Sequence, residues 1–185
     1  MQIDAQKYLR LVENAKTLVF LDIEASGLRG DYNSVLVTSI KPFGRKPVSR
    51  VVLQPGNDQR VVRETKEALE TADVWVTYYG KGYDIPMLNT RLLKWGIAPI
   101  EKRPHIDLYY ALKYKLLTAR RSQGHLLEWL ETPQSKMSVS AEVWAGVAAN
   151  PGPNLRMLRA RCESDAAGLE ALYRRTSHLL VDITR

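Results

Sequence analysis

The chain has 185 residues, 45% of them apolar, and its 27 Lys and Arg outnumber its 20 Asp and Glu for a formal net charge of +7. That length and apolar share suit a single α/β-sized domain over residues 1–185 with a real core, and no apolar run approaches the ~18 residues of a membrane span. The one cysteine, Cys162, excludes an internal disulfide and any multi-cysteine zinc site and fits a reducing cytosol, while the basic balance favours a polyanionic partner.

The first segment, MQIDAQKYLRLVENAK, is charged and amphipathic. It predicts a helix over 3–14 with Tyr8, Leu9, Leu11 and Val12 on its apolar side. It has neither the apolar stretch nor the small-residue cleavage site of a signal peptide, so the expected location is cytoplasmic. Residues 17–23 read as a strand, and 29–34 as a loop by composition. Residues 35–40 and 48–53 read as two strands joined in a hairpin by a long basic turn. A charged helix is predicted over 58–71, a strand over 74–79 stopped by Gly80-Lys81-Gly82, and a helix over 85–95. His105-Ile106-Asp107 reads as a short extended piece, with Asp107 capping a helix from 108 to 117. Beyond residue 120 the pattern is helical, near 123–131, 139–149 and 154–181. Strands first, then strand–helix alternation, then a helical last third indicate a mixed β-sheet flanked by helices.

Within these elements three acidic features stand out. The strand LVFLDIEASGL places Asp22 and Glu24 at i,i+2, on the same face. Either this strand end reaches solvent, or the pair binds a divalent cation, since Mg²⁺ and Mn²⁺ prefer hard oxygen ligands. The small residues Ala25-Ser26-Gly27 that follow would let a substrate approach the backbone. Asp84, before Ile-Pro-Met-Leu, reads as a helix N-cap. It also stands at a strand-to-helix junction, where α/β proteins build ligand sites. Asp165 falls in the apolar stripe Leu158, Cys162, Leu169, Leu172, whose spacings of 4, 3, 4 and 3 mark a core-facing helix side. A carboxylate there needs a partner, either a cation or Arg161 one turn earlier.

Together these segments resemble the DEDD exonucleases, the DnaQ-like branch of the RNase H-like fold. Asp22-Ile23-Glu24-Ala25-Ser26-Gly27-Leu28 is similar to their first motif, TYYGKGYDIPMLNTR (77–91) to the second, and RCESDAAGLEALY (161–173) to the third. The resemblance runs from about residue 17 to 175, and HIDLYYALK with the Lys136–Trp144 stretch resembles a bacterial and phage subgroup of predicted nucleases. It implies a 3′→5′ exonuclease on DNA or RNA. Asp22, Glu24, Asp84 and Asp165 would hold two Mg²⁺ or Mn²⁺ ions about 3.5–4 Å apart, one activating water and one stabilising the leaving 3′ oxygen. Ser26, Gly27, Leu28, Gly80, Lys81, Tyr83 and Arg161 become the substrate-binding candidates, with Leu28 and Tyr83 packing on terminal nucleotides and Lys81 near phosphate. A nucleic acid with a 3′ end is the implied partner. Any proofreading role would need a separate polymerase, and a repair protein is the other partner class.

The sequence departs from the family at two places. Relatives carry a His five residues, or a Tyr four residues, before the last Asp; here these positions are Ala160 and Arg161. Arginine cannot act as a base. The metal could suffice without one, Arg161 could grip phosphate, or Arg161 could pair with Asp165 and leave a catalytically weak or inactive nucleic-acid-binding scaffold. A structure-specific endonuclease is a further alternative. Tyr79 stands where relatives often have Asn. His105, His125 and His178 read as structural.

Overall fold

Alternating apolar side chains build the central strand. In the computed structural model, which describes residues 15–134 and 137–181, β1 (Leu18–Ala25) buries Val19, Leu21, Ile23 and Ala25 toward one layer and Phe20 toward the other. β2 (Val35–Pro42) pairs antiparallel with β1 and with β3 (Val48–Val51), as the hairpin pattern predicts. β4 (Val74–Thr77) and β5 (His105–Asp107) run parallel to β1, giving the order β3-β2-β1-β4-β5. Three parallel strands therefore end at one edge of the sheet.

Helices cover both faces. α1 (Gln59–Glu70) and α2 (Asp84–Lys94) bring Val61, Val62, Leu69, Leu88 and Leu92 against the Val19–Ile23 side. The short α3 (Leu108–Leu112) and α4 (Gln123–Trp129) and the long α6 (Pro151–Thr176) pack Leu126, Leu127, Leu169, Leu172 and Tyr173 around Phe20. α5 (Ala141–Gly146) precedes α6, and a 3₁₀ turn, Ser177–Val181, follows it. Pro151 and Pro153 sit in the first turn of α6, where a missing N–H costs nothing, so the helix begins earlier than residue 154. At Gly168 a Cβ would come within 2.8 Å of Leu127 Cδ1 and 2.9 Å of Gln123 Nε2. Glycine thus lets α4 close on α6, and Gln123 Nε2 donates to the Asp165 carbonyl at 2.8 Å.

Some elements differ from the pattern. The strand predicted over 74–79 stops at Thr77, because Tyr79 adopts φ 62°; for a bulky residue this left-handed conformation costs ~1–2 kcal/mol. The helix predicted to Leu117 ends at Leu112. Asp107 does cap it, accepting from Tyr109 N at 3.1 Å. Asp84 is not the N-cap of α2: Tyr83 holds that position without a side-chain cap, and Asp84 is the first helical residue. The helix expected over 3–14 lies outside the described residues. Among the described residues no helix is long and apolar enough to cross a membrane.

A buried ion pair ties the layers together. Asp58 and Arg91 are 0% and 1% exposed. Arg91 donates from Nε to Asp58 Oδ2 at 2.8 Å and from Nη2 to Oδ1 at 2.9 Å. Asp58 also accepts from Trp95 Nε1 and from the backbone N–H of Val35, both at 2.8 Å, and Arg91 Nη1 donates to the Gly30 carbonyl at 3.0 Å. The start of α1, the body of α2 and both ends of the 29–35 loop therefore meet at one pair. A buried pair with every lone pair satisfied is strongly destabilising to break from one side. Asp58→Ala is expected to lower unfolding free energy by about 3–5 kcal/mol in urea denaturation. A loss below ~1 kcal/mol would show that the network is dispensable.

Candidate metal centre

The site forms where β1 ends beneath α6. Asp22 and Glu24 pair across the ladder with Ser39 and Val37, and the register shifts between Glu24 and Ala25. Such a bulge re-aims a strand end. The stripe of α6 brings Asp165 down onto the same spot, and oxygens of Asp22, Glu24 and Asp165 lie within 4.8 Å of one another. Glu24 and Asp165 are buried, and Asp22 Oδ2 is buried with no hydrogen-bond partner among the described residues. Asp84, at the start of α2, is buried beside this group but is not part of the three-residue set. Glu24 is thus withdrawn from solvent, while Asp22 is partly exposed where it lines a cavity.

Burial first, and then the charges of Asp165, Asp84 and Glu24, hold the Asp22 carboxyl well above the ordinary range. Burial likewise pushes Asp84 up to about 7; backbone hydrogen bonds, including one from Ile23, oppose the shift, and Asp107 and Glu24 add to it. Like charges held this close resist ionising together. Oxygen donors that converge, with one unpartnered and buried, fit a hard divalent cation such as Mg²⁺ or Mn²⁺.

Arg161 meets this cluster from α6. Its Nε donates to Glu24 Oε1 at 2.6 Å, its Nη1 to the Met137 carbonyl at 3.2 Å, and its Nη2 lies 3.8 Å from Asp165 Oδ2. The expected Arg161–Asp165 pair is therefore secondary; the short partner is Glu24. The guanidinium lies over the Trp144 ring at 5.1 Å. Burial alone would lower the Arg161 pKa, but Glu24 and Asp165 outweigh it and the net shift is upward. Neither the Trp144 support nor the Glu24 partner is signalled in the sequence, because the first depends on the short α5 folding against α6 and the second on α6 packing against β1.

Of the substrate-binding candidates, Ser26, Gly27, Leu28, Tyr83 and Arg161 line one cavity of about 380 Å³ with Asp22, Glu24 and Asp165. Ser26 Oγ accepts from Ser34 N at 3.1 Å, and Tyr83 donates its hydroxyl to the Gly27 carbonyl at 3.0 Å. A Cβ at Gly27 would lie 2.4 Å from Asn33 Oδ1, so a side chain there would have to displace the Asn33 amide, which donates to the Arg29 carbonyl at 3.0 Å. Gly80 and Lys81 do not line this cavity. They belong to the turn after β4, which Asp107 holds: its carboxylate accepts from Tyr79 N and Lys81 N, both at 2.9 Å. None of the three histidines lines the cavity. His105 hydrogen-bonds Thr77 Oγ1 at 2.7 Å, and burial, helped by Lys81, pushes its pKa down to about 4. His125 opens α4 and His178 lies exposed in the 3₁₀ turn.

A family model described as the RNase H superfamily matches residues 19–133. That span contains Asp22, Glu24 and Asp84 and ends before Arg161 and Asp165. No curated protein matches the chain. Among solved structures, the family B DNA polymerase from the hyperthermophilic archaeon Pyrobaculum calidifontis superposes with a TM-score of 0.69 at 17% identity, over 89% of this chain. The chain spans 25% of that polymerase's length, and the likeness is one of fold: an RNase H-like α/β sheet.

The electrostatics carry a sign. A carboxyl whose folded pKa is raised stabilises the fold below its unfolded pKa and loses that contribution as pH rises through the folded value. For Asp84 the window runs from about 4 to about 7. Metal-free protein is therefore expected to melt lower at pH 8 than at pH 5, by more than Asp84→Asn does. Mn²⁺ should flatten the difference, because it favours the ionised acids. Thermal melts in EDTA and in Mn²⁺ measure this. Parallel pH profiles for wild type and Asp84→Asn would count against it.

Proposed function

The chain belongs to the RNase H superfamily, and on that footing we propose that it is a metal-dependent 3′→5′ exonuclease hydrolysing terminal phosphodiesters of DNA or RNA. The observation that carries this reading is the convergence of Asp22, Glu24 and Asp165 within 4.8 Å, with Asp84 beside them, on a chain of net charge +7. Asp22, Glu24, Asp84 and Asp165 would hold two Mg²⁺ or Mn²⁺ ions. Bound there, the ions would supply an activated water and neutralise charge on the phosphate and the departing 3′ oxygen.

The chain's own residues do the rest. Gly27 lines the cavity with its side-chain position taken by the Asn33 amide, and exposed Leu28 with Tyr83 flanks the cavity where a terminal nucleotide would pack. The hydrogen bond from Tyr83 to the Gly27 carbonyl fixes the width of that slot. Lys81 would meet phosphate from the turn after β4. No side chain at 160 or 161 takes the attacking water's proton, since alanine has no acceptor and guanidinium stays protonated. Arg161 would instead neutralise a phosphate oxygen once Glu24 turns to the cation. The whole chain, 1–185, would act as one domain, and a polymerase or repair protein would be a separate partner.

A second reading is favoured by one observation, the 2.6 Å contact of Arg161 with Glu24. That bond supplies an internal cation where a metal would otherwise sit. If it prevails, the chain is a weak nuclease or a nucleic-acid-binding scaffold.

Both readings meet in one assay. A 3′-labelled oligonucleotide with Mn²⁺ is expected to release nucleoside monophosphates, and Asp22→Ala should reduce the rate by at least ~10³-fold, the scale of losing electrostatic stabilisation of the reacting centre. A closed circle should stay intact; its cleavage would mark an endonuclease. An intact linear substrate at high enzyme, together with activity gained by Arg161→Tyr, would establish the second reading.

A further inference from the structure

Tyrosines gather at the sheet edge beside the acidic cavity. β1, β4 and β5 are parallel neighbours, so the residues that follow β4 and β5 share the edge at which Asp22 and Glu24 stand. Tyr79 follows β4, one strand from β1; Tyr109 and Tyr110 follow β5, two strands away. At ~4.8 Å per strand, the group begins roughly 5–10 Å from β1. Tyr79 and Tyr110 stack with centroids 5.7 Å apart and planes 28° apart. Tyr109 meets them edge-on at 5.1 and 5.2 Å. Tyr79 is 45% and Tyr110 42% exposed.

This cluster is built, and at a cost. Tyr79 stands where the resemblance expects Asn, and its φ of 62° is the left-handed conformation that Asn tolerates and bulky residues avoid. The strained residue is secured: its N–H donates to Asp107, and its ring rests on Gly82, where a Cβ would lie 2.6 Å from Tyr79 Cζ. Exposed Lys81 shares the turn, and Lys113, at the C-cap of the helix that carries Tyr109 and Tyr110, holds its ammonium 5.0 Å over the exposed Tyr114 ring. Asp107, the carboxylate beneath, is buried and accepts backbone N–H bonds from Tyr79, Lys81 and Tyr109. The surface therefore offers π-faces and ammonium groups, with its acid turned inward.

We propose that Tyr79 and Tyr110, with Lys81 and Lys113, form a stacking platform for the bases of a single-stranded nucleic acid leading away from the acidic cavity. Unpaired bases can leave their own stack for an aromatic ring while lysines follow the phosphates. Bases in a duplex are not available for this, so the platform selects single-stranded ends. The direction of the strand rests on the exonuclease reading; the binding does not.

Anisotropy with labelled single-stranded oligothymidylate, oligouridylate and a blunt duplex, all in EDTA, separates binding from cleavage. The wild type is expected to hold both single strands more tightly than the duplex. Tyr79→Asn and Tyr110→Ala should each weaken single-strand binding about tenfold and leave duplex binding unchanged. Tyr79→Phe, which keeps the ring, should retain affinity, and Tyr79→Asn should melt no lower than wild type because it relieves strain. Equal wild-type affinity for single strand and duplex, or unaltered binding by Tyr79→Asn and Tyr110→Ala, overturns the platform. Mononucleotide release with Mn²⁺ beside unaltered binding would leave the exonuclease standing without it. Tyrosine-dependent binding with no release would do the reverse.

Discussion

Carboxylates crowded into a buried pocket repel one another, and much of this molecule serves to hold them there. The strand alternation of β1 fixes two of them, and the helical period of α6 fixes a third. Neither element would place an acid there for stability, since each gives up a core position to a charge that burial penalises. What opposes the repulsion is a scaffold of well-packed neighbours: Cys162 donating to the Asp22 carbonyl at 3.2 Å, Gln123 bracing the helix at the Asp165 carbonyl, and the Asp58–Arg91 pair locking α2 and the loop beyond β1. Rigidity is the requirement, because any freedom would let the acids move apart.

Arg161 changes the character of the site. Among the described residues that line the cavity it is the one cationic side chain, and its guanidinium lies over the Trp144 ring. Its place on α6, one turn before Asp165, means the helix that supplies the last acid also supplies the counter-ion. A dication that bound through the Glu24 oxygen held by Arg161 would exchange with the guanidinium, and the displaced arginine would stay within reach of whatever the cation brought with it.

Much of the arrangement was legible in the sequence because it depends on periodicity. The i,i+2 spacing placed Asp22 and Glu24 on one face, the 4-3-4-3 spacing placed Asp165 inward, and the hairpin and the mixed sheet followed from pattern and turn composition. What escaped depends on contacts between distant segments. The choice of Glu24 over Asp165 by Arg161 spans 137 positions. The pairing of Asp58 with Arg91 joins two residues that each look like ordinary surface charges on amphipathic helices. Asp84 misled locally, since an Asp before Ile-Pro is a strong capping signal, yet Tyr83 takes that position and Asp84 is buried beside the acidic group. Tyr79 showed only as a mismatch in a motif; its backbone conformation gives the mismatch a physical meaning.

That conformation has a consequence in mutational space. Tyrosine and asparagine codons differ by a single first-position base, so position 79 lies one nucleotide from the residue its backbone prefers. Selection for thermal stability alone would reach that neighbour early and flatten the sheet edge beside the acids. A library screened for function would reject it. Position 79 is thus a place where the two kinds of selection pull a gene in opposite directions, and the outcome at that codon records which one acted.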